Sequence, residues 1–504
     1  MSASKKYKVK VRMYCLGTGD CFVIKFSKAG IDEFTMMIDC GSCQGTAKDF
    51  LPYIENLEAY AKDGIDLLII THEHNDHVNG FEKCKDIFSK ESFKIREAWF
   101  AWTENPEDPD DHAKELQAKR TKMKKALKNA ITEIKVAGPA FLNSLKDDFF
   151  KIDMERSQDS FFRGLDSMAE INLSDEADDE GGGKALAGMT SIKKILKEKK
   201  TKTRYLDPGE TVLLPKLPGL KFHILGPPYD RTAIFKDGKQ GTDVFNKQLS
   251  MYESALAANA FLDINNSDIR DKDIPFSEEY IENIQKPSFA SSLSSKSNDT
   301  ISFSLSAIYN DPINNWRTID TDWLNGAGSL ALRLNSHINN TSLVIAIESE
   351  EAENVILLPG DAEYGSWESW YLIPKWLTKG KKGNSFAEDL ISRTLFYKVG
   401  HHLSYNGTAL DKGILKMANP DLAAMATLDR NRIAPGWKKT MPNVHLLEEL
   451  IKRCNGKFFI MDESEINNAP SKNLDPATLG KSVYETGLLD DDTTTMYKQY
   501  NFDF

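Results

Sequence analysis

A short apolar run, IDLLII, occupies residues 65–70, and a polar stretch, THEHNDHVNG, follows it directly at 71–80. A run this short and this rich in Leu and Ile predicts a strand that is buried on both faces. The next residues, FEKCKDIF, place their apolar side chains at helical spacing, and the dipeptide Asn79-Gly80 before them is typical of a turn. The pattern therefore predicts a strand, a polar loop and a helix, an arrangement in which α/β proteins often build functional sites.

The polar loop concentrates metal-binding residue types. It holds His72, His74, Asp76 and His77, although the whole chain has only nine histidines. Imidazole nitrogens and carboxylate oxygens are ligands of zinc and similar divalent ions. His72 and His74 lie two positions apart, so an extended loop would turn both rings to the same side. A solvated loop with chance histidines is the alternative, but the crowding directly after a buried strand favours a metal site.

The HEHNDH segment matches an H-x-H-x-D-H signature, and the chain resembles the metallo-β-lactamase superfamily. Three further expectations are met in chain order, because FTMMIDCGS supplies Asp39 after an early strand, NVILLPGDAEYG supplies Asp361 after a later one, and TLFYKVGHHLSYNGT supplies His401 and His402. The resemblance implies an α+β fold, a four-layer αββα sandwich with two large insertions and with metal ions at the edge of its two sheets. The segments YCLGTGDCFVIKF, LPGLKFHILGPP and KVGHH further resemble the ComEC-type competence-protein domain, in its soluble, stand-alone form.

The resemblance also implies a set of metal ligands. His72 and His74 would hold the first metal ion, Asp76 and His77 would hold the second, and Asp361 would bridge both. The cofactors expected are therefore two divalent metal ions, zinc or manganese.

Two positions of this ligand set are less well defined. One of His401 and His402 would complete the second metal site, and we favour His402 because His402-Leu403-Ser404 fits the THxS spacing of related nucleases. Aligning LNGAGSLALRL with the superfamily pattern puts Asn325 where many members have a further histidine. An Asn carbonyl is a harder ligand that favours manganese over zinc relative to imidazole. His223 and His337 are the alternatives at this position.

Three further charged residues are candidates for supporting roles. Asp39 and Asp20 fit carboxylates that orient the ligand histidines, although Asp20 in GTGD also fits an ordinary turn residue. Lys398 could contact a phosphate group, and a solvated lysine is the alternative. Asp76 or a neighbouring histidine could shuttle a proton to the leaving group.

Such a centre predicts hydrolysis. Two divalent ions can hold a bridging hydroxide that acts as the nucleophile, so no Ser or Cys nucleophile is needed. The ComEC-type resemblance favours a phosphodiesterase or nuclease. Two other functions stay open: a metallohydrolase of a small lactone, thioester, cyclic nucleotide or phosphorylcholine ester, and a non-catalytic metal-binding interaction module.

The charge pattern bears on partners. The net charge of −11 argues against a surface that is basic throughout and grips duplex DNA. Lysines are nevertheless concentrated in predicted helices at 114–135 and 193–204. These helices could form a basic wall that guides a phosphate backbone, or they could simply expose solvated lysines. We therefore expect a nucleic acid or another phosphodiester as substrate, and we consider a partner protein.

The matching segments divide the chain into parts. The predicted core comprises residues 1–103, 205–230 and 321–470, interrupted by a lysine-rich helical insertion at 104–204 and a second insertion with a Ser-rich loop at 231–320, and followed by an acidic tail at 471–504.

Neither a membrane span nor a signal-peptide core is evident, so we expect a cytoplasmic protein without a membrane association. Six cysteines in a chain of 504 residues argue against a disulfide scaffold, and we expect Cys40 and Cys43 to be reduced thiols, with a redox or metal role as the alternative.

Overall fold

The computed structural model describes residues 6–144, 188–239, 241–244, 334–377, 385–433, 441–461, 484–489 and 494–504. The chain divides into two compact units. The first comprises residues 1–121, 155–248 and 334–504, and the second comprises residues 122–154 and 249–333. Both sheets and the candidate site lie in the first unit.

The described residues of the first unit form two sheets. The eight-stranded sheet has the order β14-β15-β1-β2-β3-β4-β5-β6, formed by β1 (Lys8–Tyr14), β2 (Phe22–Lys28), β3 (Ile31–Ile38), β4 (Ile65–Ile69), β5 (Ile95–Ala101), β6 (Lys202–Leu206), β14 (Tyr484–Leu488) and β15 (Thr495–Asp503). The seven-stranded sheet has the order β13-β12-β11-β10-β9-β8-β7, formed by β7 (Thr211–Leu213), β8 (Leu220–Gly226), β9 (Val344–Ser349), β10 (Val355–Leu358), β11 (Thr394–Lys398), β12 (Ala423–Ala426) and β13 (Phe458–Ile460).

Helices connect the strands. They are α1 (Ala47–Tyr60), α2 (Asn75–Lys83), α3 (Lys85–Phe88), α4 (His112–Ser144), α5 (Gly188–Glu198), α6 (Arg231–Ile234), α7 (334–339), α8 (Tyr364–Trp370), α9 (Phe386–Ser392) and α10 (Val444–Cys454). Short 3-10 turns cover Trp102–Glu104, Pro374–Trp376, Gly400–Leu403 and Ile414–Lys416.

Successive side chains of a strand point to opposite faces of its sheet, and this alternation produces the layers of the fold. Side chains such as Val11 on β1 and Ile345 on β9 pack together between the two sheets. The opposite face of the first sheet packs on α1, α2 and α5, and the opposite face of the second packs on α8, α9 and α10. Because each sheet has apolar side chains on both faces, it needs a cover on each side. The predicted four-layer αββα sandwich is confirmed.

The helix after β4 begins earlier than the sequence pattern predicts. The strand Ile65–Ile69 matches the expected apolar run, but α2 starts at Asn75, so Asp76 and His77 lie in its first turn. The predicted turn at Asn79-Gly80 is wrong, because both residues are helical. Gly80 allows the helix to pack closely, since a Cβ there would lie 2.4 Å from Cys40 Sγ and 2.7 Å from Cys40 O.

Two other segments differ from their predicted places. Helix α5, assigned by sequence to the first insertion, buries Ile192 and Ile195 in the core beneath the first sheet. Gly188 at its start lies against the backbone of α2, where a Cβ would approach Val78 O to 2.2 Å. The segment assigned to an acidic tail contains β15, which pairs antiparallel with β1 over the whole length of β1. The Ser-rich loop predicted for the second insertion lies outside the described residues.

Candidate metal centre

The ends of several strands bring the candidate ligands together. His72 and His74 follow β4, Asp39 follows β3 and Asp361 follows β10, while His401 and His402 follow β11. Asp20 lies between β1 and β2, and its backbone N–H donates to Asp76 O at 2.9 Å. These residues are all buried, Asp76 included, and so are His77 and Lys398.

The closest cluster is built around Asp361. Its Oδ2 lies 3.2 Å from His77 Nε2 and 3.3 Å from His402 Nε2. Asp20, His77, Asp361 and His402 each offer one ligand atom, and these atoms all lie within 4.8 Å of one another. Asp76 joins the edge of this cluster, because its Oδ2 lies 3.1 Å from His402 Nε2.

A second pair of ligand atoms lies beside this cluster. His72 Nε2 and His74 Nδ1 are 3.0 Å apart, and the ring centroids of His72 and His77 are 4.1 Å apart. Burial lowers the pKa of both rings, to about 4 for His74 and well below the usual value for His72. Both imidazoles are therefore neutral near pH 7, and a neutral imidazole is the form that binds a metal.

One hydroxyl and one carboxylate fix the orientation of His72 and His77. Thr71 Oγ1 donates to Asp39 Oδ2 at 2.5 Å, so it can accept from His72 Nδ1 at 3.0 Å. His77 Nδ1 donates to the same Asp39 oxygen at 2.8 Å. In both rings Nδ1 carries the hydrogen bond, which leaves Nε2 directed at the cluster. Asp39 thus lies in hydrogen-bond contact with both Thr71 and His77, and its role as an orienting carboxylate stays a prediction.

His402 is oriented in the same way. Thr427 Oγ1 donates to Asp20 Oδ1 at 2.7 Å and lies 2.8 Å from His402 Nδ1, so it can accept from that nitrogen. Burial disfavours the charged ring, but Asp361 and Asp76 raise the pKa of His402 to about 9. Asp20 therefore both supports His402 through Thr427 and contributes an oxygen to the cluster.

Lys398 is an internal cation of this centre. Its Nζ donates to Gly360 O at 2.9 Å and Asp361 Oδ1 at 3.0 Å, and it forms an ion pair with Asp20 Oδ2. The solvated alternative is wrong, because only 3 % of the side chain is exposed. Burial opposes a charged lysine, but Asp20 and Asp361 raise its pKa. Burial likewise opposes ionisation of Asp361, and Lys398 lowers the pKa of this carboxyl well below its usual range.

The backbone separates the two adjacent histidines. His401, His402 and Leu403 have φ values of 46°, 48° and 64°, a left-handed conformation that costs about 1–2 kcal/mol per residue. His401 N donates to Asp361 Oδ1 at 3.0 Å, which helps to hold this turn. The ring of His401 lies with Asn406 and Glu363 instead, at 3.2 and 3.5 Å from its Nδ1, while His402 reaches the cluster.

The arrangement fits divalent metal ions. Ligands held about 2.0–2.2 Å from one tetrahedral ion lie roughly 3.3–3.6 Å from each other, and the separations of 3.0–3.3 Å described above are close to this spacing. Asp76 Oδ1 is buried without a hydrogen-bond partner among the described residues, so this carboxylate can bind an ion through Oδ2, beside His402, while Oδ1 is left without a protein donor. Among the described residues His77 Nε2 likewise makes no hydrogen bond, although it lies 3.2 Å from Asp361 Oδ2.

The remaining candidates lie elsewhere. Asn325 is outside the described residues. His223 contacts Thr211 Oγ1 at 2.9 Å and Glu348 Oε2 at 2.9 Å, and His337 packs on Phe235 with ring centroids 4.4 Å apart. Cys40 is a buried thiol, and Cys43 Sγ lies 3.6 Å from Asp76 Oδ2. Sequence reasoning did not single out Thr71, Thr427 or Glu363, because hydroxyls and carboxylates outside a motif carry no spacing signal.

Comparisons with known proteins agree with this geometry. A family model of the metallo-beta-lactamase superfamily matches residues 16–160, which include the HEHNDH motif, Asp20 and Asp39 but precede Asp361 and His402. No curated protein matches the chain. The resemblance to the superfamily is confirmed, while the narrower ComEC-type resemblance stays a prediction. Together with the ligand cluster, the match supports a metal-dependent hydrolase. Among the described residues, no helix is long and apolar enough to cross a membrane.

Proposed function

We propose, from the superfamily match of residues 16–160, that the chain is a phosphodiesterase or nuclease that works with two divalent metal ions, zinc or manganese. The observation that carries the proposal is the position of Asp361 between His77 and His402, with the His72–His74 pair beside it. His72 and His74 would hold one ion. Asp76, His77 and His402 would hold the other, and Asp361 would contact both. Asp20 is a further candidate ligand.

The bound ions would supply Lewis acidity, which activates water and neutralises charge on phosphate oxygens during an in-line displacement. The protein's own contribution is orientation. Asp39 accepts a hydrogen bond from His77 Nδ1, and Thr427 Oγ1 can accept one from His402 Nδ1. These contacts keep the Nε2 atoms of His77 and His402 directed at Asp361. Lys398 prevents Asp361 from rotating, because Nζ holds its Oδ1 while Oδ2 faces the histidines.

Asp76 is the candidate for proton transfer. One of its oxygens lies by His402, and the other, Oδ1, is buried without a hydrogen-bond partner in the described part of the chain. A carboxylate oxygen without a partner can accept a proton from an attacking water and return it to the leaving group.

Several features support a phosphodiester as the substrate class. The segments around Gly19-Asp20 and Lys398-Val-Gly-His-His resemble the ComEC-type domain. Helix α4 exposes Lys114, Lys122 and Lys125. A nucleic acid would be the natural polymer of this class. The alternative is a small lactone, thioester, cyclic nucleotide or phosphorylcholine ester, which would need a closed pocket rather than a groove.

The test is a substrate panel with purified full-length protein and added Mn²⁺ or Zn²⁺. The panel contains single- and double-stranded DNA, RNA, a nitrophenyl phosphodiester, a nitrophenyl phosphorylcholine, a lactone and a thioester. We expect cleavage of phosphodiesters that Asp361→Asn abolishes. Hydrolysis of only the lactone, the thioester or the nitrophenyl phosphorylcholine would favour the small-molecule alternative. Metal binding without turnover of any member would favour an interaction module.

A further inference from the structure

We propose that Arg120 is a positioning residue that holds the loop between His72 and His74 through the side chain of Glu73. The inference rests on the proposed metal-dependent function, because it assigns Arg120 to the alignment of two candidate ligands. Arg120 lies in α4, outside the H-x-H-x-D-H motif and far along the chain from it.

The contacts form a chain of alternating charges that is buried at Arg120 and Glu104 and reaches the surface at Lys193. Arg120 Nη1 lies 3.1 Å from Glu73 Oε1, and Arg120 Nη2 lies 3.1 Å from Glu104 Oε1. Lys193 on α5 extends the chain, with its Nζ 2.7 Å from Glu104 Oε2. Only 7 % of the Arg120 side chain and 6 % of the Glu104 side chain are exposed. We call these four residues the Arg120 network.

The network requires the geometry of arginine. A guanidinium carries its charge on a rigid plane with several N–H donors, so Arg120 donates a hydrogen bond to Glu104 through Nη2 while Nη1 forms an ion pair with Glu73. Burial strengthens each contact, because the charges are not screened by solvent. A lysine at this position would offer a single ammonium on a flexible stem and could not hold both carboxylates in the same way.

Helix α4 does not need Glu73 for its own attachment. Gln117 Nε2 donates to Thr103 O at 2.9 Å, and Arg120 itself contacts Glu104, so two contacts already fix the helix to the turn after β5. The contact with Glu73 is additional. Because α4 is already attached elsewhere, this contact can restrain Glu73 in the loop between His72 and His74, as a positioning role requires.

The loop is held at both ends by other groups. Thr71 N donates to Asp39 Oδ1 at 2.8 Å, and His74 O accepts from His77 N at 2.9 Å at the start of α2. Glu73 lies between these two anchors. Because metal ligands must be held to within about 0.5 Å of their productive geometry, a constraint at Glu73 would limit the freedom of the rings on either side.

The experiment measures metal affinity rather than activity alone. The chelator-stripped full-length protein is titrated with Mn²⁺ and with Zn²⁺ by calorimetry, for the wild type, Glu73→Gln, Arg120→Gln and the double variant. Loss of an orienting partner typically weakens metal binding about 10–100-fold, and we expect this for both single variants, with no further loss in the double variant. The matched control is Lys193→Gln, which removes a charge from the far end of the network and should change affinity by less than about twofold.

Two results would overturn the proposal. A metal affinity of Glu73→Gln equal to that of the wild type would show that the network supports only the fold. An equal loss of metal affinity in Lys193→Gln would show that the effect on metal binding does not depend on the contact with Glu73. If Arg120→Gln does not fold, Glu73→Gln and Arg120→Lys decide the question. If the wild type itself takes up no metal, the proposed function fails. Amide hydrogen exchange at residues 71–74 then tests the positioning role independently, since faster exchange in Glu73→Gln supports it and unchanged exchange refutes it.

Discussion

At the scale of single residues, the centre depends on which nitrogen of each histidine is exposed to the cluster. His401 and His402 are chemically identical neighbours, yet the left-handed turn sends their rings to different partners. His402 Nε2 reaches Asp361 and Asp76, whereas His401 lies with Glu363 and Asn406. Backbone conformation therefore assigns the two rings to different roles.

This assignment predicts different effects for one substitution at two adjacent sites. His402→Gln removes an imidazole from the cluster, and we expect metal affinity to fall at least about 10-fold and turnover about 100-fold or more. His401→Gln should keep the full metal content. Elemental analysis of both purified variants checks this, with the exposed His445→Gln as a further control. Loss of metal in His401→Gln but not in His402→Gln would reverse the assignment.

Asp39 carries a second prediction at this scale. Its Oδ2 accepts from Thr71 and from His77 Nδ1, so it orients His77 without facing Asp361 itself. Asp39→Asn should weaken metal binding about 10–100-fold, because the amide cannot accept both hydrogen bonds at one oxygen with the same strength. Competition with a chromophoric chelator measures the change. Asp32→Asn, at a partly exposed pair with Lys25, should bind metal like the wild type.

At the scale of the elements, one carboxylate joins three of them. Glu348 on β9 lies 2.9 Å from His223 Nε2 on β8 and 2.7 Å from Arg393 Nη2 after α9. The hydrogen bond from His223, followed by that from Arg393, lowers the pKa of Glu348 to about 2, against the opposing effect of burial. This network joins elements of the second sheet at a site distinct from the metal centre.

The low pKa of Glu348 predicts a particular pH dependence. A carboxyl whose pKa is lower in the folded state stabilises the protein above its ordinary pKa, near 4.5, and this contribution is lost as pH falls towards 2. Glu348→Gln should therefore make the free energy of unfolding less dependent on pH between about 5 and 2, and should cost about 1 kcal/mol at pH 7. Denaturant unfolding of the metal-free proteins tests this. The exposed Glu351→Gln is the control, and an unchanged slope in Glu348→Gln would contradict the prediction.

The elements also show how far sequence patterns lead. The apolar run at 65–70, the metal motif and the later GDAE and GHH segments all fall at strand ends, where a sandwich of this class needs them. The start of α2 at Asn75 was not predictable, because His74 precedes the helix without a side-chain cap and Asn79-Gly80 has the composition of a turn. Lys398 was missed as a buried cation because its burial depends on Asp20 and Asp361, which lie far away in sequence.

At the scale of the whole molecule, aromatic contacts join the two sheets. Phe502 on β15 stacks on Phe396 of β11, with ring centroids 5.7 Å apart and planes 9° from parallel. The acidic composition near the C-terminus predicts a tail, but the alternating aromatics Tyr500, Phe502 and Phe504 pack on the core. Acidic residues before the strand conceal this alternation when composition is averaged over the segment.

This contact predicts a measurable loss of stability. Phe502→Ala removes a partly buried ring between the sheets and should lower the free energy of unfolding by about 2–4 kcal/mol. Thermal unfolding followed by circular dichroism measures the effect. The exposed neighbour Asp503→Ala should change the melting temperature little. Equal melting temperatures for Phe502→Ala and the wild type would show that the ring contributes nothing to the packing.

The pairing of β1 with β15 has a consequence for biosynthesis. Tyr7 and Phe504 exchange two backbone hydrogen bonds of 2.8 Å, so residues from opposite ends of the chain are neighbours in the sheet. Within this domain a ribosome makes β1 before all the other strands, whereas its partner strand β15 emerges only after the rest of the domain has been translated. Until then one edge of β1 has no strand beside it, and an unpaired edge invites association with other chains. Nascent chains that stall before β15 should therefore be the ones that chaperones must shield.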